Sequence, residues 1–463
     1  MSAPVLWILL PAFLSIILFL NNKTEYRFYV FVLFSFFLTI LTILIRIDPA
    51  GDIPFYQFSI RSDLNILGRS FILTQNDLFL VRLIYFFNTI WGIFANFYRR
   101  QNRAIPLGLL FSAMLLGAFS VFPFLYAALI IALSIILSVP LLVGNRTRNL
   151  TGISRFVIYQ VLALPFILLA GWFLAGGEIS PVNPSQLIQA ALLLGLGFVL
   201  WLGVFPFHSW IPMLHRESDG INAGYVLILL ISITFLVILK FIDGFSWLRQ
   251  YALFYQAMLL LGIIMAALGA VGVFFQKDLK EITGYAFLHM IGMLLVSVGI
   301  FPLAGIHIFP MMLAKFIFAN SLLYFTMEYL KNGSSDADLQ ISRSMDWNAI
   351  AVIGYVFAML SISGMPLTIG FPPVQWIYQQ LARTNGVFFI ILIFGKTLIA
   401  FSAMRILKTV YRQSPQMMQL IPRTGRDWFM VIMFVIIVLS GVFPQIVYSN
   451  FDQLVSGFQN LIQ

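Results

Sequence analysis

The chain has 463 residues, 61% of them hydrophobic and only 10% charged, against roughly 45–50% and 25% in soluble globular domains, which excludes a soluble enzyme. It contains no cysteine, which excludes disulfides, thiolate-held iron–sulfur clusters and covalently attached haem, so any electron transfer belongs to another chain. The net charge of +10 does not mark a nucleic-acid surface, because the Lys and Arg residues sit in short links between apolar runs, where they anchor a membrane protein.

Crossing a hydrocarbon core of roughly 30 Å takes about 20 helical residues. Apolar runs of that order are predicted at 3–21, 27–46, 78–98, 105–121, 122–144, 153–176, 186–206, 221–242, 252–274, 281–301, 306–330, 347–383, 386–409 and 427–447. The expected fold is an all-α polytopic membrane protein of about 14 helices in one membrane domain, with no separate soluble part. The first run has no basic residue before it and no small-residue cleavage signal after it, so it is read as a retained helix rather than a signal peptide. The one long early loop, 47–76, alternates in polarity over 55–61 and again over 65–74, which predicts a small hairpin on the membrane surface. Asp77 opens the third helix, and Arg82, one turn later, is expected to pair with it or to serve a neighbour.

The twelfth run is too long for one straight crossing. Its middle, Ser363-Gly364-Met365-Pro366 followed by Gly370-Phe371-Pro372-Pro373, removes backbone donors and predicts two half-helices. The pattern Phe-Pro-x-x-x-Trp occurs both at 205–210 and at 371–376. This points to an internal repeat, and paired broken helices are a way to place unwound backbone at mid-membrane. The chain then divides into N-terminal helices and hairpin (1–104), a first repeat (105–242), a second repeat (252–409) and a C-terminal helix (410–463). With the N-terminus outside, 17 of the 27 Lys and Arg fall in inside loops and six in outside loops. Basic loops resist export, so both termini are expected outside.

The stretch FPFHSWIPMLHRESDG at 205–220 resembles the most recognisable motif of the antiporter-like membrane subunits of respiratory complex I and of Mrp-type cation/proton antiporters. DLKEITGYAFLHMIG at 278–292 and GMPLTIGF at 364–371 are similar to two further segments of that family, and Asp77 stands where the family opens its third helix with an aspartate. Together the matches cover about half the chain in the right order. The resemblance implies two inverted five-helix repeats with discontinuous helices 7 and 12, packed beside other membrane-arm subunits. It also implies proton or Na⁺ movement along a mid-membrane line of lysines, glutamates and histidines. No cofactor is expected, and direct catalysis by this chain is not expected.

The sequence departs from the family pattern along that line. The channel lysine of helix seven falls on Trp201, the second lysine on Ser232, the lysine of helix eleven on Ala319, and the charged slot after the Gly-Phe turn on Val374. From 78 to 177 there is no Asp or Glu to pair with a helix-seven lysine. The charges that remain are the candidates for an ion pathway. Lys315 lies one turn before Ala319 in an apolar helix, where it titrates, pairs with an unidentified acid or packs. Lys396, in the run 388–403, is a displaced relay group or snorkels to a membrane face. His289 changes charge near neutral pH from an unperturbed pKa of about 6.5, or is a hydrogen-bonded core histidine. Lys240 fits the family alignment. His208 follows the helix-seven proline, and Arg216, Glu217 and Asp219 crowd the next link beside His215, more simply as a structural ion-pair cluster. Asp278, Lys280 and Glu281 read as the capped start of a helix.

The four histidines form no metal-ligand pair of i,i+4 type, and neither a GxxxxGK loop nor a dinucleotide fingerprint occurs. Two functions stay open: ion translocation coupled to redox, with the remaining charges replacing the usual relay, and a scaffold that has lost its channel and spaces active subunits.

Overall fold

A computed structural model of the protein describes residues 2–21, 24–48, 58–97, 104–143, 150–174, 184–304, 306–331, 348–413 and 424–462. Ten of the described helices are long and apolar enough to cross a membrane, and four shorter apolar helices bring the crossing segments to the fourteen expected. In chain order they are α1 (Val5–Leu20), α2 (Thr24–Leu44), α3 (Leu78–Phe97), α4 (Leu107–Ser120), α5 (Ala127–Leu142), α6 (Thr151–Phe173), α7, α8 (Gly220–Gly244), α9 (Ala252–Phe275), α10 (Leu279–Gly299), α11 (Ile308–Lys331), α12, α13 (Gly386–Gln413) and α14 (Gly425–Val442). Two of them are broken, into α7a (Pro184–Trp201) and α7b (Trp210–Glu217), and into α12a (Ala349–Ser363) and α12b (Phe371–Thr384).

Both breaks have local causes. Gly364 caps α12a in the left-handed region, φ +73°, where a side chain is strained. Pro372 and Pro373 then occupy the first turn of α12b, where a missing N–H removes no helical hydrogen bond. After α7a the chain turns at Gly203, φ +58°, and enters α7b through the short turn Phe207–Ser209.

The breaks also fix the repeat. Consecutive crossings alternate in direction, so α12, five crossings after α7, runs through the membrane in the opposite sense. The helices α4 to α8 and α9 to α13 are therefore two inverted five-helix units, each broken in its fourth member. Matching contacts support the correspondence: α4 packs on α8 as α9 packs on α13, and α6 packs on α7a as α11 packs on α12a.

Burial sorts these helices into layers. In α8 and α10 94% of the apolar window is buried, against 28% in α6, α13 and α14. The former two form the centre, while the latter three turn Leu, Ile and Phe side chains outward, as lipid-facing helices do. Helices α9 and α10 lie very close, because a Cβ on Gly269 would stand 2.5 Å from His289 N and one on Gly292 2.4 Å from Ala266 N. Small residues allow such approach in membranes. Tyr225 joins α8 to α3 and α4, donating to Asn88 Oδ1 and Gly108 O at 2.8 Å each, with its ring stacked on Trp91.

The surface loop holds the expected hairpin in a shorter form. Strand β1 (Ile45–Ile47) pairs in parallel with β2 (Phe58–Ile60). The hairpin itself is β3 (Asp63–Ile66) with β4 (Arg69–Ile72), extended by β5 (Val121–Phe122). Its turn, Leu67-Gly68, has two positive φ angles, the backbone that a two-residue hairpin requires. The second arm and the end of the first thus come from the second alternating stretch. The first stretch instead supplies β2, which pairs with β1 where the chain leaves α2, and its residues 55–57 lie outside the described residues. Arg82 takes the neighbour rather than Asp77: its guanidinium donates to Thr42 Oγ1 at 3.1 Å and to Thr42 O, while Asp77 closes a capping box with Thr74.

Candidate functional site

The second repeat gathers three of the candidate side chains around the break in α12. Lys315 on α11 is wholly buried, and no hydrogen-bond partner reaches its Nζ among the described residues. Its end lies against the break, because a Cβ built on Gly370 would stand 2.9 Å from Lys315 Cε and 2.1 Å from Ser361 O. Ser361 belongs to the last turn of α12a, so the lysine, the last carbonyls of one half-helix and the glycine before the other meet in one place. Its Oγ is also buried without a partner among the described residues. The negative end of a helix dipole suits a cation there. His289 on α10 and Lys396 on α13 both lie within electrostatic reach of Lys315. His289 donates through Nδ1 to Ala266 O at 2.9 Å, and the Lys396 ammonium stands 5.8 Å from the Tyr378 ring on α12b. Lys315 thus has a basic group in range on each of two neighbouring helices, and in a medium where charge is costly, charging it disfavours charging them.

Among its described residues the first repeat presents no such set. Trp201, the last residue of α7a, is wholly buried and stacks beside Phe198. Its carbonyl accepts a 2.6 Å hydrogen bond from Gln160 Nε2 on α6. Ser232 is buried in the middle of α8. His208 sits in the turn between the halves of α7, its ring stacked on Phe205. In the second repeat Ala319 is buried one turn along from Lys315, and Val374 packs beneath Gly364, whose Cβ would fall 2.9 Å from Val374 Cβ.

The polar link after α7b binds helices together. Glu217 Oε2 accepts from Gly152 N at 2.6 Å and Ile153 N at 3.2 Å, placing a carboxylate at the N-terminus of α6 where the dipole favours it. Arg216 pairs with Glu281 at 3.3 Å. Asp219 is the N-cap residue of α8, and Asp278 caps α10 by accepting from Lys280 N.

Two features of this link escaped the sequence reading. His215 is buried and donates through Nδ1 to Ile211 O, and Tyr324 OH on α11 lies 2.5 Å from its Nε2. The buried carboxylate Glu328, also on α11, accepts from Gly220 N. An acid inside the apolar run 306–330 is the signal that would have found it.

Lys240 engages differently from the other candidates. Its Nζ donates to Phe119 O at 2.5 Å and lies 3.7 Å from the Phe119 ring centroid, so it covers the C-terminus of α4. Arg405 on α13 does the same for α9, donating to Phe274 O at 2.6 Å and Gln276 O at 2.8 Å with its guanidinium over the Phe274 ring. In both repeats, then, the fifth helix sends a cation to the end of the first. Among the described residues no group of three His, Asp or Glu is placed to hold a metal ion.

The family model for the transmembrane region of NADH:quinone oxidoreductase and Mrp antiporters matches residues 93–400. The chain is similar to NADH-ubiquinone oxidoreductase chain 2 of Didelphis virginiana, with 25% identity over 304 residues, 61% of this chain and 77% of that one. Its similarity to the same-named protein of Eidolon helvum is 23% over 242 residues, 52% of this chain and 65% of that one, so the match spans just under two thirds of that relative. Among solved structures, a chain of the Mrp complex from Dietzia sp. DQ12-45-1b shares the fold with a TM-score of 0.80 at 11% identity, covering 100% of this chain and 99% of that one. A chain of respiratory complex I from Thermus thermophilus does so with a TM-score of 0.72 at 19% identity, covering 99% and 100%.

Proposed function

The chain belongs to the NADH:quinone oxidoreductase/Mrp antiporter transmembrane family, and from that premise we propose that it is an antiporter-like subunit of a complex I-type or related membrane assembly, in which its second repeat handles protons or Na⁺ and its first repeat does not. The observation that carries this reading is Lys315, a buried lysine without a hydrogen-bond partner among the described residues, lying against the break in α12. Ionisable groups so placed in a membrane are rare, and they mark ion pathways and proton relays. His289 and Lys396 stand beside it as groups that can share the charge. Lys240 and the Arg216, Glu217 and Asp219 link hold helices in register, and His208 packs on Phe205 in the turn of α7. In the family slots, Trp201, Ser232, Ala319 and Val374 carry no charge.

The test is Lys315→Met in the purified, reconstituted assembly, where ions moved per electron are expected to fall. An unchanged ratio would favour the second reading, a scaffold between active subunits. That reading draws on the packed aromatic end of α7a at Trp201 and Phe198.

The partners are other membrane-arm subunits and the bilayer. The repeat boundaries proposed are 105–242 and 252–409, flanked by 1–104 and 410–463. The family supports a prokaryotic plasma membrane location, and the distribution of Lys and Arg supports both termini outside. Because the chain lacks cysteine, a single Leu67→Cys at the exposed hairpin turn should react with an impermeant maleimide added outside intact cells. Reaction only after the cells are opened would reverse the orientation.

A further inference from the structure

Gln160 and Lys315 lie on the third helix of their respective repeats, 155 residues apart, the same separation as Phe119 and Phe274 under the two capping cations. Each reaches the end of the first half-helix in its own repeat. Gln160 Nε2 donates to the carbonyl of Trp201, the last residue of α7a. Lys315 lays its Cε against Gly370 beside Ser361 in the last turn of α12a. Both side chains are wholly buried, and Gln160 Oε1 and Lys315 Nζ lack hydrogen-bond partners among the described residues. A half-helix that ends inside a membrane leaves its last carbonyls in need of donors: Gln160 supplies one to Trp201 O, whereas at the end of α12a Gly364 N meets Ser361 O and Met365 N meets Leu360 O.

We infer that Gln160 is the first-repeat counterpart of Lys315, and that the two repeats have diverged into a neutral half, whose break is tied by an amide, and a chargeable half, whose break is closed by its own backbone with an uncommitted amine beside it. Both side chains lie at a broken helix; only the amide is committed to a carbonyl there, and only the amine can gain or lose a proton. Gln160 is thus a positioning residue for Trp201 and the Gly203 turn, and the unit that moves charge is confined to the second repeat. The last clause rests on the proposed function; the correspondence of the two positions does not.

The correspondence is tested by hydrogen–deuterium exchange on the full chain in lipid nanodiscs. Gln160→Leu should speed exchange of the amides at 202–207 by about tenfold or more, because the tie on the end of α7a is gone. Lys315→Leu should leave exchange at 364–371 within about twofold of wild type, because among the described residues the amine makes no hydrogen bond there and backbone N–H groups close the end of α12a. Unchanged exchange in Gln160→Leu overturns the inference. So does a loosening of about tenfold at 364–371 in Lys315→Leu, which stands even if Gln160→Leu does not fold. Neither arm measures ion movement, so failure here leaves the flux test of Lys315→Met untouched.

Discussion

Replacing Gly370 by alanine is expected to wreck the break in α12, because the added Cβ would stand 2.1 Å from Ser361 O, a backbone atom that cannot rotate away. Gly370 has an ordinary φ of −77°, so the demand is for space and not for an unusual backbone. The two half-helices must separate to admit the methyl, and Lys315 Cε, 2.9 Å from the same point, must move as well. Overpacking costs about 1–3 kcal/mol, and a backbone oxygen in the way puts this site at the upper end, a large fraction of a native protein's margin. The measurement is the midpoint of SDS-driven unfolding, with Gly195→Ala as the control. A Cβ on Gly195 meets nothing within 4 Å, and alanine in a helix interior is favourable by up to about 1 kcal/mol over glycine. Equal midpoints for the two variants would show that α12 is not broken as described.

The second large effect is expected at Arg405. Its guanidinium satisfies Phe274 O and Gln276 O and reaches Val273 O at 3.4 Å, all at the end of α9. Methionine keeps much of the length and removes every donor, leaving those carbonyls unmet in an apolar surround. Hydrogen bonds to charged groups contribute about 1.5–3 kcal/mol each, and water reaching the half-buried site offsets part of the loss, so about 3 kcal/mol is expected for Arg405→Met. Lys240→Met removes one such bond, to Phe119 O, and should cost about half as much. Arg405→Lys should fall between, since a point-like ammonium cannot span two carbonyls as a planar fork does. A larger loss for Lys240→Met than for Arg405→Met would contradict the view that both are caps differing in the number of bonds made.

The crossing segments were legible because an apolar run of about 20 residues has few other uses. The breaks were legible because glycine and proline act on their own backbone: Gly364, Pro372 and Pro373 end and restart a helix where they stand. What depends on a second helix was not legible. Arg82 has Asp77 five residues away in sequence and Thr42 forty away, and the structure gives it Thr42. Lys240 and Arg405 serve backbone carbonyls of other helices, and every residue has a carbonyl, so no side-chain pattern announces the partner. Gln160 drew no notice for the same reason, its partner being the carbonyl of Trp201. Charge alone makes the link 215–219 an ion-pair cluster; Arg216 does pair with Glu281, while Glu217 is committed to helix N–H groups.

The division of labour between the repeats is tested most directly by ions moved per electron in proteoliposomes holding the intact assembly, with Lys315→Met and Ser232→Ala measured side by side. Loss of charge at Lys315 is expected to lower the ratio, and Ser232→Ala, in the slot where relatives carry the second lysine, is expected to keep it. A ratio that falls with Ser232→Ala and holds with Lys315→Met would place the moving charge in the wrong half of the molecule for this account.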